Sequence, residues 1–113
     1  MFQQITLVGF LGRDPEMRFT PKGDAVTDFS IAASRRKDET VWFKVSVWGS
    51  QAEACNQYLK KGSKALVIGR LVAGDDGNPK TFQRKDGTTG SSFEVSADKV
   101  RFLDSKEETE IRF

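Results

Sequence analysis

Between Thr40 and Gly49 the chain alternates residue by residue. Val41, Phe43, Val45 and Val47 fall on one side, and Trp42, Lys44, Ser46 and Trp48 on the other. A period of two marks a strand with one face in a core, so the four apolar residues are read as that face. Two tryptophans on the opposite face demand an explanation. Either another surface covers them while Lys44 snorkels out, or they are used for stacking. Binding a single nucleic-acid strand requires this interleaving, because aromatic faces take bases and ammonium groups take phosphates. The strand alone leaves both readings open.

The rest of the chain limits what such a strand can join. Ile5, Leu7 and Gly9 alternate with Thr6, Val8 and Phe10 until Gly12-Arg13-Asp14-Pro15 stops the run. A second run, Ala25 to Ser34, sets Phe29, Ile31 and Ala33 against Asp28 and Ser30, after a turn at residues 20–24. The helical pattern lies at Ser50–Lys61. There Ser50 and Glu53 fit a capping box, and Ala52, Cys55 and Leu59 share one face. Gly62 is the expected stop, with Lys60 and Lys61 in the last turn. Strand character returns at Ser63–Val72. A turn-rich patch, residues 74–79, precedes a hairpin about Asp86-Gly87 with arms at Lys80–Lys85 and Ser91–Leu103. The order is three strands, a helix and two strands. That order predicts an all-β fold, a five-stranded Greek-key barrel of the OB type with its helix between strands three and four.

Composition removes competing classes. The 113 residues include no His and one Cys, so neither a His/Cys zinc site nor a His-based nucleophile pair can be assembled. Asp75-Asp76 is read as a turn with Gly77 rather than a cation site, and Cys55 as a small core residue. One Cys forbids an internal disulfide and fits a reducing compartment. No apolar run reaches membrane-spanning length, and Met1 leads straight into a strand pattern, so no leader peptide is expected. These features point to a soluble, non-enzymatic protein with no metal and no cofactor. Net charge is only +2, but residues 1–103 hold 16 basic and 12 acidic side chains, and residues 104–113 hold 2 and 4. The expected organisation is a mildly basic domain, 1–103, and a short acidic tail, 104–113.

Two further segments join basic residues to the aromatic stripe. Arg35-Arg36-Lys37 follows the second strand, and Lys80-Thr81-Phe82-Gln83-Arg84-Lys85 interleaves a ring with cations on a hairpin arm. Three such segments on one small barrel favour a nucleic-acid groove. Trp42, Trp48 and Phe82 would stack bases. Lys44, Arg35, Arg36, Lys37, Arg84 and Lys85 would attract phosphates, with Arg18 and Lys80 as further members. Phe10 and Phe19 are read equally as platform, core or subunit contact. Two rivals remain: an OB-fold adaptor of the primosomal accessory type, acting through protein contacts, and an RNA-binding OB module.

At residues 3–103 the chain resembles the bacterial-type single-stranded-DNA-binding proteins, including their mitochondrial relatives. The match rests on Ile5 to Phe19, on Thr40-Val41-Trp42-Phe43-Lys44-Val45, on Trp48-Gly49 with Ala52-Glu53, and on Tyr58 to Ser63 with Val67, Gly69 and Leu71. The resemblance implies an OB fold, usually a homotetramer, that wraps single-stranded DNA without sequence preference in replication, recombination and repair. It places the family's stacking rings at Trp42, Trp48 and Phe82. It implies a bacterial cytoplasmic location, or a mitochondrial matrix for an organellar form. A further family tryptophan after the second strand has no counterpart, and Lys37 stands near its place. Phe10 replaces a usual Asn, and Phe43 a common His linked to subunit contacts.

The chain ends Glu107-Glu108-Thr109-Glu110-Ile111-Arg112-Phe113. This is similar to the family's acidic tip, which ends Asp-Ile-Pro-Phe and docks onto replication and repair enzymes, but it has Arg112 for Pro and no long linker. Ile111 and Phe113 would enter an apolar pocket while Glu107, Glu108 and Glu110 meet basic residues around it.

Overall fold

In the computed structural model, which describes residues 1–103, the alternating segment becomes strand β4 (Trp42–Trp48), with Val45 and Val47 fully buried. Its neighbours are β3 (Ala25–Ala32), antiparallel, and β8 (Phe93–Phe102), parallel. Strand β5 (Lys64–Leu71) lies between β8 and β1 (Ile5–Leu11). The ring closes where β1 meets β3 through the pairs Phe10–Ala32 and Leu11–Ile31. Five strands therefore form a closed barrel with a Greek-key order, the OB architecture expected from the sequence. Its interior holds Leu7, Leu11, Phe29, Ile31, Val45, Val47, Val67, Val95 and Val100. These are the inward members of alternating runs, and their burial supplies the main stabilising term. Phe43 sits at the rim of this core, its ring 5.5 Å from that of Phe93.

Helix α1 (Ser50–Tyr58) follows β4 and buries Ala52 and Cys55, while Leu59, just beyond it, is also buried. Buried Thr27 donates its hydroxyl to the Ala52 carbonyl at 2.6 Å. Gln51 holds the helix to β8, donating to the Asp98 carbonyl at 2.9 Å and accepting from the Val100 amide at 3.2 Å. Asp98 is the unpaired residue where the β5–β8 register shifts, so the amide side chain serves backbone groups that the ladder leaves open.

Three local expectations are corrected. The helix ends at Tyr58 rather than Lys61, because Leu59 is extended and the Lys60 amide bonds the Ser63 hydroxyl at 3.0 Å in a separate turn. Lys60 and Lys61 thus lie outside the last helical turn. No capping box forms. Gly49 occupies the cap position with φ 71° and makes no side-chain bond, whereas Ser50 is already helical, one residue too late to cap. The hairpin about Asp86-Gly87 does form, but its arms are β6 (Thr81–Gln83) and β7 (Thr89–Ser91). The chain breaks at Ser92, and the rest of the expected second arm is β8, a barrel strand. One strand, β2 (Glu16–Phe19), was not foreseen. It pairs with β3 through the turn at residues 20–24, where the Gly23 amide bonds the Thr20 carbonyl at 2.8 Å.

Burial raises the Cys55 thiol to about 11 from an ordinary value of 9.0, so its reactive thiolate is suppressed near neutral pH. A thiol-alkylating reagent at pH 8 should leave the folded protein unmodified and label it rapidly once denatured, as mass spectrometry would read. Fast labelling of the native protein would contradict this packing. The linkage sign agrees. The folded state holds the proton to higher pH than the unfolded chain, so this group's contribution to stability falls as pH rises from about 9 to 11.

Candidate nucleic-acid interface

The outward side of β4 sets the frame of the candidate site. Register places Trp48 beside Val26, Ser46 beside Asp28, Lys44 beside Ser30 and Trp42 beside Ala32. On the other side Glu94 and Ser96 of β8 adjoin Lys44 and Ser46. On the far side of β3, Arg18 and Glu16 of β2 face Val26 and Asp28. A continuous patch therefore runs over β2, β3, β4 and β8, with the two indoles at its ends. Six residue steps along the strand set them about 20 Å apart. Trp42 is 50% and Trp48 48% exposed, which bears on the question left by the sequence: among the described residues neither ring is buried.

Two of the exposed rings rest on something that orients them. Trp42 lies against Gly12, where an added β-carbon would come within 2.6 Å of the indole. Phe82, 49% exposed on the β6–β7 arm, lies across Gly90 with the Arg84 guanidinium 5.6 Å from its centroid. Arg84 is fixed by the Thr89 carbonyl at 3.0 Å and the Thr88 hydroxyl at 3.4 Å. The arm is a separate two-stranded sheet, so Phe82, Arg84 and Lys85 are carried outside the barrel's own ladders.

The cations differ in what holds them. Arg18 pairs with Asp28 at 2.9 Å, and Asp28 also accepts from Ser46 at 2.7 Å. Arg35 and Arg36 both turn to Glu39, at 3.2 and 3.4 Å, and the Arg35 bond holds that carboxyl below the usual carboxylate range. Lys80 reaches Glu94 at 3.8 Å. Lys37, Lys44 and Lys85 have no ion-pair partner among the described residues. Pairs as exposed as these add little to stability, but they keep guanidinium groups extended on the surface.

Sequence reasoning missed Arg13. It lines a cup of about 280 Å³ with Asp14, Glu16, Asp28, Ser30 and Lys44, beside the β4 stripe. In the sequence its turn marks only a strand stop. The signal available was its place directly after Gly12, which the fold brings under Trp42. Phe10 and Phe19, 55% and 63% exposed, are not core residues. The tip residues Glu107, Glu108, Glu110, Ile111 and Phe113 lie outside the described residues. Among the described residues, no cluster of His, Cys, Asp or Glu is arranged to hold a metal ion. No helix there is long and apolar enough to cross a membrane.

Comparison with known proteins agrees with this geometry. Residues 2–103 match the model of the single-strand binding protein family. A single-stranded DNA-binding protein of Wolinella succinogenes is 39% identical over 94% of this chain and 67% of its own length. One from Neisseria meningitidis serogroup A is 33% identical, over 93% of this chain and 62% of its own. One from Chlamydia caviae is 43% identical, over 84% and 57%. The chain thus spans about two thirds or less of these relatives. With nearly every described residue inside the match, and with a barrel that carries rings and cations on one face, the chain belongs to the single-strand binding protein family.

Proposed function

We propose that this chain binds single-stranded DNA without sequence preference and protects it during replication, recombination and repair. The observation that carries the reading is the outward stripe of β4, two half-exposed indoles with Lys44 between them on a rigid central strand. Trp42, Trp48 and Phe82 stack bases. Lys44, Lys37 and Lys85 meet phosphates directly, while Arg18, Arg35, Arg36 and Lys80 do so by exchanging a carboxylate for a phosphate. Arg84 serves mainly to present the Phe82 ring. Stacked bases are unavailable for pairing, so binding opposes duplex formation. Family membership favours this reading over the adaptor and the RNA module. Nothing in the patch requires catalysis, and the family's description is that of a binding protein.

The finer parts of the proposal concern assembly and place. Subunits associate as a homotetramer through apolar side chains on the outside of β1 and β5, where Val8 is 45% exposed beside half-buried Leu66 and Ile68. The acidic tail recruits replication and repair proteins, and the protein works in the bacterial cytoplasm. Titration with poly(dT) should quench tryptophan fluorescence to a sharp end point, and less so with a ribo-oligonucleotide of the same sequence. A folded protein whose fluorescence poly(dT) leaves unchanged would overturn the reading.

A further inference from the structure

We propose that Phe10 is an additional base-stacking residue, continuing the Trp42 surface onto β1. The inference rests on the single-strand reading above. Three observations carry it. First, Phe10, Ala32 and Trp42 form one row, since Ala32 pairs with Phe10 on one side and with Trp42 on the other. Phe10 and Trp42 therefore project from the same outer face, two strands and about 10 Å apart, with only a methyl group between them.

Second, Trp42 leans over the end of β1, the strand that carries Phe10. Its six-membered ring lies over Gly12, which follows Phe10 by two residues and bonds the Ser30 carbonyl through its amide at 3.1 Å. In extended chain, positions two apart on one face are about 7 Å from each other. That is close to two stacking spacings of about 3.4 Å, so a base on one ring has the other within reach. A β-carbon at residue 12 would abolish this approach, and the chain has glycine there.

Third, the charge lies in the right place. The loop holding Arg35, Arg36 and Lys37 leaves the sheet just after Ala32, at the Trp42–Phe10 end of the patch. A strand passing from Trp48 over Lys44 to Trp42 would meet that loop with its phosphates as its next base meets Phe10. Phe10 is 55% exposed, and nothing among the described residues covers it. A second copy of the chain is the competing occupant of that ring.

Three variants separate these occupants. Phe10→Leu keeps an apolar side chain for packing but removes the π face, Phe10→Trp enlarges the face, and Phe10→Ala removes both. Affinity for a dT oligonucleotide and the mass of the DNA-free assembly would be measured for each. Stacking requires Phe10→Leu and Phe10→Ala to bind about 10-fold or more weakly and Phe10→Trp at least as tightly as the parent, all at unchanged mass. Unchanged affinity in Phe10→Leu would overturn the proposal, as would a smaller DNA-free assembly in either truncated variant. If the parent protein fails to bind dT, the single-strand reading itself falls. If the parent binds and Phe10→Leu matches it, only the role of Phe10 falls.

Discussion

A Gly9→Val variant is expected to lose about 3 kcal/mol of folding stability or more, enough to leave much of a marginal domain unfolded. A β-carbon at residue 9 would overlap the Ala32 carbonyl oxygen and approach its carbon to 2.7 Å. The obstacle is backbone of the neighbouring strand, so no rotamer change relieves it. Relief requires parting β1 from β3, which join through only two residue pairs. Parting them also uncovers Leu11 and Ile31, now 3% and 0% exposed. The check is a urea midpoint compared with that of Gly23→Ala, a site with nothing within 4 Å and only its positive φ to penalise it, about 1 kcal/mol. Near-equal midpoints would mean that the seam does not close the barrel.

The second large effect is on binding. Trp42→Ala and Trp48→Ala should each weaken binding to a dT oligonucleotide by about 1–3 kcal/mol, while far-UV circular dichroism and the urea midpoint change little. The separation is expected because both rings are half-exposed and neither belongs to the core cluster. Gly12→Val offers a check on the first ring. It leaves both tryptophans in the sequence but drives the indole from its floor, so affinity should fall as for Trp42→Ala. A Trp48→Ala variant that melted early yet bound normally would assign that ring to packing over Val26, its fully buried neighbour in the sheet.

Much of this arrangement was legible in the chain itself, for a physical reason. A strand in a closed barrel has one face in the core and one outside, so the alternation from Val41 to Trp48 sorts outward residues from packing residues before any neighbour is known. The helix position was equally clear, but its ends were not. Ser50 looked like a cap because the cap type depends on side-chain identity, whereas the chain turns through Gly49, where backbone angle decides. Strand β2 escaped because it is four residues long and only Met17 is even half-buried, too little to show a period. Arg13 escaped because its place in the cup depends on β1, β3 and β4 meeting. The Arg18–Asp28 pair lay beyond local reading for the same reason. Its members sit on different strands, and only the β2–β3 turn sets them side by side.

Strand β4 has hydrogen-bonded neighbours on both edges, β3 and β8. It cannot slide by one residue without breaking two ladders at once. Such a slip would exchange its faces, turning both indoles inward and Val45 and Val47 out to water. The bonds that hold the barrel together are therefore also the bonds that aim the rings. A slip that misdirected the stripe would also break the barrel's ladders, so correct refolding and recovery of the stripe should be one event.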